Sequence, residues 1–386
     1  MRRRKNMLSD CLMLLATVVS VSAGVSRADD EPFMGAYVNI PKLFDSNSDF
    51  SDRERSIEKH LDRFKDSGLR IVMPYVTTTV GTAAYPSKIV PNCLYSDWDP
   101  VSVLMREARA RGLQVYPVAC VLACGKLQPQ GILRQHTEWA LKDEVGRPIG
   151  HISPCHPQAR DWVVSVMREI VEKYKPDGLL LDYLRFNNRP MQLDPLGAAQ
   201  LSKLMRGVPE TLHAGKLQRF KEECLTELMR SISVDLRKQQ PGIRLAIYSW
   251  GPHVVQNHRI AQDWRTWAQK GYIDMVNVSG YCFPENYGDR YMQVFADRIA
   301  GALAINQKLK RSIDVTLCLG IKTSHGQIDK AADVEDYLNT AGQLGVDGVS
   351  IFTWSHATPF LEEIQQGGYL TNFENGLKSR SYSISR

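Results

Sequence analysis

In the segment Gly178-Leu179-Leu180-Leu181-Asp182-Tyr183-Leu184-Arg185-Phe186, one carboxylate interrupts an otherwise apolar run. A charge buried in such a run is costly unless it is paired, and Arg185 or a nearby hydroxyl is the available partner. If the run is a strand, side-chain alternation sends Asp182 and Tyr183 to opposite faces, so only one of them points inward. An inward carboxylate suits cleavage of a glycosidic bond, a reaction that ordinarily uses two carboxylates. The best-placed second group is Glu285 in Gly280-Tyr281-Cys282-Phe283-Pro284-Glu285, with Glu138 and Asp143 in an earlier polar stretch as competitors. The residues leave that choice open. The structural alternative for Asp182 is an ion pair with Arg185 that merely closes one end of the fold.

Aromatic side chains recur at the ends of apolar runs, namely Tyr37, Tyr75, Trp250, Tyr281 and Trp354. Their faces suit the C–H surfaces of sugar rings, and Asn39, His253 and His356 beside them suit hydroxyl groups. Trp139, His151 and Arg185 complete the set of candidate substrate-binding residues. His151 and His156 flank Ser153-Pro154-Cys155, and with no H-E-x-x-H or comparable spacing they read as hydrogen-bonding groups rather than metal ligands. No metal and no cofactor is expected. The chain has no G-x-S-x-G, which argues against a serine hydrolase, and neither G-x-G-x-x-G nor a P-loop, which argues against a nucleotide site.

These residues need a frame, and apolar runs alternating with helical patterns supply one. Strands are expected at Met34–Ile40, Arg70–Val76, Leu113–Val121, Leu179–Leu184, Arg244–Trp250, Ile273–Tyr281, Ile313–Ile321 and Gly348–Trp354. Helices are expected at Arg53–Lys65, Val101–Arg111, Pro157–Tyr174, Leu217–Lys238, Asp263–Gln269, Asp289–Leu309 and Lys330–Leu344. Asp97-Trp98-Asp99-Pro100 supplies a cap and an N1 proline for the second helix, and Gly112 closes it. Eight strands separated by helices with no break in composition fit an α/β fold, a single (β/α)8 TIM barrel with long βα loops. The longest loops, around residues 77–98, 122–156 and 185–215, follow strands and would build the reactive face.

The 386 residues are 43% hydrophobic and 23% charged, an ordinary globular composition that excludes a collagenous, coiled-coil or disordered chain. Arg2, Arg3, Arg4 and Lys5 precede the apolar stretch Leu12–Val21 and small residues at Ala23 and Ala28, the pattern of a secretory signal peptide. Residues 1–28 are therefore read as signal peptide and leader, 29–365 as the barrel and 366–386 as a polar tail adding little to the core. Cleavage after Ala23 removes four basic residues and Asp10, so the formal charge of +6 falls to +3. That charge is spread over helices, and no nucleic-acid footprint is expected. No later run is long and apolar enough to span a bilayer, so a periplasmic or secreted location is expected. Beyond Cys11, the cysteines are Cys93, Cys120, Cys124, Cys155, Cys224, Cys282 and Cys318. Cys120 and Cys124 read as small buried apolar residues, and a disulfide among Cys120, Cys124 and Cys155 is compatible with an oxidising compartment.

Three stretches, taken in order, resemble one family: Ala84-Tyr85-Pro86-Ser87; Glu138-Trp139-Ala140-Leu141-Lys142-Asp143 with Gly146-Arg147-Pro148; and Tyr174-Lys175-Pro176-Asp177-Gly178 running into Leu181-Asp182-Tyr183-Leu184-Arg185. Over roughly residues 33–355 the chain is similar to the family 10-like glycosyl hydrolases, barrel proteins of bacterial envelopes. The resemblance implies a glycan-cleaving barrel with Asp182 as catalytic carboxylate, and a carbohydrate polymer as partner. Some members act on peptidoglycan strands. The chain departs from the family at the sixth strand, where Val278-Ser279-Gly280-Tyr281-Cys282 replaces a Pro-Gln-Ile-Tyr-Trp type ending and loses an amide suited to sugar contact. The expected function is thus an exported glycoside hydrolase with Asp182 as nucleophile or base and Glu285 as acid. The alternatives are a glycan-binding barrel without catalysis and a substrate-assisted hydrolase.

Overall fold

The computed structural model describes residues 31–384. The expected signal peptide and leader, residues 1–28, lie outside the described residues. In chain order the elements are β1 (Phe33–Val38), α1 (Phe50–Asp66), β2 (Ile71–Pro74), α2 (Pro100–Ala110), β3 (Gln114–Val115), β4 (Val118–Cys120), β5 (Ala140–Lys142), β6 (Pro148–Ile152), α3 (Pro157–Tyr174), β7 (Gly178–Asp182), α4 (Pro195–Met205) and α5 (His213–Gln239). They continue with β8 (Arg244–Ser249), α6 (Trp264–Gln269), β9 (Met275–Ser279), α7 (Pro284–Tyr287), α8 (Tyr291–Gln307), β10 (Asp314–Gly320), β11 (Lys322–Thr323), β12 (Gly326–Gln327), α9 (Ala331–Leu344), β13 (Gly348–Phe352), α10 (Trp354–Ala357), α11 (Leu361–Gln366) and α12 (Tyr369–Ile384).

Nine segments form one parallel sheet in the order β3-β2-β1-β13-β10-β9-β8-β7-β4. The expected third strand is present as two pieces, β3 pairing with β2 and β4 pairing with β7. Pro117 sits in the break, where it has no N–H for a sheet ladder. Val76 N donates to Val118 O at 2.9 Å, so the chain leaving β2 also reaches β4. The sheet is therefore curled, with helices on its outer side.

Period-two alternation divides the strand residues. Outward side chains such as Val72, Leu179, Leu181, Ile247, Val276, Leu317 and Ile351 pack under the helices. Inward ones, including Phe33, Tyr37, Met73, Tyr116, Leu180, Tyr248, Met275 and Cys318, form a second apolar group inside the curl. Gly178 is required there because a β-carbon would strike the Tyr116 ring.

Local sequence explains the helix starts. Asp99 accepts Ser102 N ahead of Pro100, as expected, and Asp194 does the same for Gly197 N ahead of Pro195. The second case builds α4 in a segment read from its polarity as loop. The polar third loop contains the β5–β6 hairpin. The tail also departs from expectation. Leu370, Phe373 and Leu377 recur at helical spacing and are buried, and Phe373 lies against Gly342 of α9. The Ser- and Arg-rich composition of the tail hides that apolar stripe.

The Ala84-Tyr85-Pro86-Ser87 stretch has a positional role. Tyr85 OH, Ser87 Oγ and Lys88 N donate to the Glu169 carboxylate on α3 at 3.0, 2.5 and 2.6 Å, fixing the loop after β2 to that helix.

Candidate active site

Asp182 is the last residue of β7 and shares the inward parity of Gly178 and Leu180. Tyr183 adopts φ +55°, a left-handed conformation unfavourable for a tyrosine, and so turns the chain sharply after the carboxylate. That turn lets Tyr183 N donate to Asp182 Oδ1 at 2.7 Å, while Tyr75 OH donates to Oδ2 at 2.9 Å. Asp182 is 6% exposed. Burial raises its pKa above the ordinary carboxylate value, and the Arg185 charge and the two donors only partly oppose this. The carboxyl group consequently keeps its proton to higher pH than a surface aspartate.

Arg185 forms no ion pair with Asp182. Its guanidinium lies 4.5 Å from the centre of the Tyr183 ring and 4.7 Å from that of Trp250. Both rings stack on the cation.

Rings follow the strand order around the inner edge. Tyr75 lies 5.7 Å from Tyr37, Tyr37 lies 5.4 Å from Phe352, Phe352 lies 5.5 Å from Tyr281, and Tyr281 lies 5.9 Å from Tyr248. The hydrogen bond from Tyr75 to Asp182 continues this arc to β7. Beneath it, Asn277 Nδ2 donates to Tyr37 OH at 2.8 Å and to Ser350 Oγ at 2.7 Å, and Thr316 Oγ1 donates to Asn277 Oδ1 at 3.1 Å. Burial raises the pKa values of Tyr37, Tyr75, Tyr248 and Tyr281, which stay neutral phenols.

The sequence-predicted residues divide clearly. Asp182, Tyr37, Tyr75, Arg185, Trp250 and Tyr281 come together. His151 stands behind them, its Nε2–H donating to Arg185 O at 2.8 Å, and burial pushes its pKa down to about 4. Asn39 is half-buried after β1, where its carbonyl accepts Lys42 N. His253 meets His258 edge-on at 5.5 Å beyond β8, with its pKa lowered by burial and by Arg298 and His258. His356 lies beyond β13, its pKa lowered by burial and by Lys322 and Lys42.

Three of the sequence-predicted residues, Trp354, Trp139 and Glu285, are placed away from the aromatic arc. Trp354 is 2% exposed, donates Nε1–H to His60 Nδ1 at 3.3 Å and packs on Phe64, so its face belongs to the core against α1. Trp139 is buried in the third loop with His136 stacked at 3.9 Å, apart from the aromatic arc. Glu285 is exposed on α7, where its carboxylate accepts Gln327 N at 3.1 Å and holds the β11–β12 hairpin. No hydrogen bond or charge interaction joins Glu285 to Asp182.

The competing carboxylates are engaged elsewhere. Glu138 pairs with His136 at 3.0 Å, and Asp143 closes its own turn through Arg147. Both have lowered pKa values, led by backbone N–H donors, which disfavours a proton-donating role. Sequence reading missed Tyr248, Phe352 and Asn277. Their inward parity on β8, β13 and β9 was the available signal. The described cysteines are free thiols, including Cys120, Cys124 and Cys155, and Cys124 Sγ donates to Gln130 O at 2.8 Å. Among the described residues, no three His, Cys, Asp or Glu side chains group to hold a metal ion.

Comparison with known proteins places the chain among glycosyl hydrolase-like sequences and folds. Glycosyl hydrolase DigH of Escherichia coli K12 is 26% identical over 294 residues, covering 66% of this chain, and the same figures hold for DigH of Shigella flexneri. The chain spans 63% of the length of those relatives. The PgaB (BpsB) glycoside hydrolase domain from Bordetella bronchiseptica shares the fold with a TM-score of 0.65 at 15% identity, over 86% of this chain and 98% of that domain. The catalytic domain of β-amylase from Paenibacillus polymyxa matches with a TM-score of 0.58 at 14% identity, again over 86% and 98%. The model of the Glycosyl hydrolase-like 10 family matches residues 44–336, and the chain belongs to that family.

Proposed function

We propose that this chain is an exported glycoside hydrolase that cleaves a polysaccharide at the mouth of a closed eight-fold barrel, with Asp182 as its catalytic carboxylate. Taking β3 and β4 as one strand interrupted at Tyr116-Pro117 makes eight parallel strands, and Asp182 then stands at the carboxyl-end face where such barrels carry their chemistry. The observation that carries the reading is the Asp182 carboxyl itself, buried, bonded through both oxygens and shifted toward its protonated form. A raised pKa suits proton transfer better than nucleophilic attack, which needs the ionised group. Asp182 is accordingly assigned to proton transfer, and the aromatic arc to packing on sugar faces. Peptidoglycan strands are the first glycan to test, in a periplasmic or secreted setting.

A second reading, a glycan-binding barrel without catalysis, is favoured by one observation: Glu285 is tied to Gln327 and does not interact with Asp182. The full chain and its Asp182→Asn and Glu285→Gln variants, incubated with glycans that include peptidoglycan strands with and without stem peptides, separate the two. New reducing ends that Asp182→Asn loses by on the order of a hundredfold or more support the hydrolase. A comparable loss in Glu285→Gln would make Glu285 the second carboxylate. Binding without release by any of the three proteins would leave the binding barrel.

A further inference from the structure

Arg185 follows β7 and stands close enough to Asp182 for its charge to act there. Its guanidinium makes no side-chain hydrogen bond or ion pair among the described residues, and its Nε is shielded from solvent without an acceptor. Arginine carries five N–H donors in a fixed plane, and a protein interior normally satisfies such donors. The Tyr183 and Trp250 rings hold the cation by its face, and no acceptor among the described residues bonds the donors along its edge. Two elements set this clamp, the left-handed turn at Tyr183 and the end of β8. His151 adds a third constraint by donating to the Arg185 carbonyl.

A guanidinium edge fits a planar two-oxygen anion through two parallel hydrogen bonds, a match that neutral hydroxyls do not reproduce. Asp182 lies close enough for the Arg185 charge to act on it, yet it directs its oxygens to Tyr75 and Tyr183 N. Further positive charge follows the strand ends. His356 after β13 feels both Lys42 after β1 and Lys322 after β10. Glu285, the carboxylate after β9, is occupied by the hairpin backbone.

We propose that Arg185 is a specificity-determining residue that binds a carboxylate carried by the sugar next to the cleaved bond, so that the substrate is an acidic glycan. This rests on the glycoside hydrolase reading and adds the substrate's charge to it. The carboxylate is either part of a uronic acid ring or an acidic ether substituent such as a lactyl group, and the two sources share the same recognition chemistry.

The test uses matched polymers and the full chain. Polygalacturonate and peptide-free peptidoglycan strands are each presented beside a carboxyl-reduced counterpart to the wild type, Arg185→Met and Arg185→Lys. The readout is the ratio of kcat/KM on the acidic polymer to that on its reduced partner. The same ratio is taken for Kd in an Asp182→Asn background, and melting temperature verifies folding. The wild type is expected to prefer one acidic polymer on the order of tenfold or more. Arg185→Met brings the ratio near one, Arg185→Lys retains part of it, and the polymer that responds identifies the source of the carboxylate. Cleavage with no acidic preference, or a preference that Arg185→Met retains, overturns the proposal and leaves the hydrolase reading standing. Arg185-dependent acidic binding with no cleavage overturns the proposal together with the hydrolase reading it rests on, and leaves Arg185 as a carboxylate-binding residue of a glycan-binding barrel. Failure to bind either acidic polymer overturns the proposal.

Discussion

Asp182 has a cost that the rest of the fold must carry. Its folded pKa lies above the unfolded value because burial penalises the charged form. A raised carboxyl favours folding most where both states are protonated, and that contribution is lost as pH rises through the folded pKa. Asp182→Asn should therefore raise the melting temperature at pH 7, with the gain fading as pH falls through the ordinary carboxylate range; a variant less stable than wild type at pH 7 would contradict this. Tyr75 works in the opposite direction, since its O–H stabilises the ionised form. Tyr75→Phe should shift the Asp182-dependent limb of the pH–rate profile to higher pH. His151 makes the protein sensitive to acid by a separate route. With a pKa near 4 in the fold, it stays neutral where the unfolded chain already takes up a proton. About 3 kcal/mol of stability should be lost between pH 6.5 and 4 on this account, and His151→Gln should flatten the curve measured by denaturant titration.

At the scale of the elements, three aspartates repeat one device. Asp177, Asp274 and Asp347 each stand just before a strand, and their carboxylates accept Val115 N, Leu245 N and Val315 N at 2.8, 2.9 and 2.8 Å. Each also donates its own N–H to that same residue's carbonyl, and its carbonyl accepts from the strand on the other side. The device sits before β7, β9 and β13, on alternate strands of the curl, and fixes register where strands begin. A hydrogen bond to a charged group is worth about 1.5–3 kcal/mol, so Asp347→Ala should lose roughly that amount in chemical denaturation, and a loss under about 0.5 kcal/mol would remove the device's energetic role. This scale also shows what was legible in the sequence. Strands and helices followed from alternation, Asp-Pro caps and closing glycines, and Asp182 was legible as the carboxylate inside an apolar run. The break at Pro117 and helix α4 after Asp194-Pro195 carried local signals outweighed by their surroundings. Site partners were less legible, because Tyr75, Tyr248 and Phe352 meet Asp182 or one another only when the sheet curls. Trp354 resembled the other strand-end aromatics but faces α1, an orientation that spacing alone does not give.

Across the whole molecule, the series of aspartates is interrupted before β2, where Arg70 occupies the matching place and bonds β1 and β3 through its backbone alone. Its side chain donates to Pro32 O at 3.0 Å and pairs with Glu374 of α12 at 2.6 Å. The last helix thus supplies a carboxylate at the start of the second strand, beside the seam where β1 pairs with β13 and the first strand meets the last. Leu370, Phe373 and Leu377 anchor that helix, with Phe373 on α9, so α12 bridges the last βα unit and the first. Two consequences follow from bridging rather than surface decoration. Phe373→Ala should cost about 3 kcal/mol, the range for removing a buried ring. Ending the chain after Gly367 should cost more than Phe373→Ala, because the Arg70 pair is lost and the faces covered by all three apolar side chains become wet. Both are read as shifts in the urea midpoint, and hydrogen exchange at β1 and β13 locates the effect. If truncation leaves exchange in those two strands unchanged, α12 covers the surface without closing the seam.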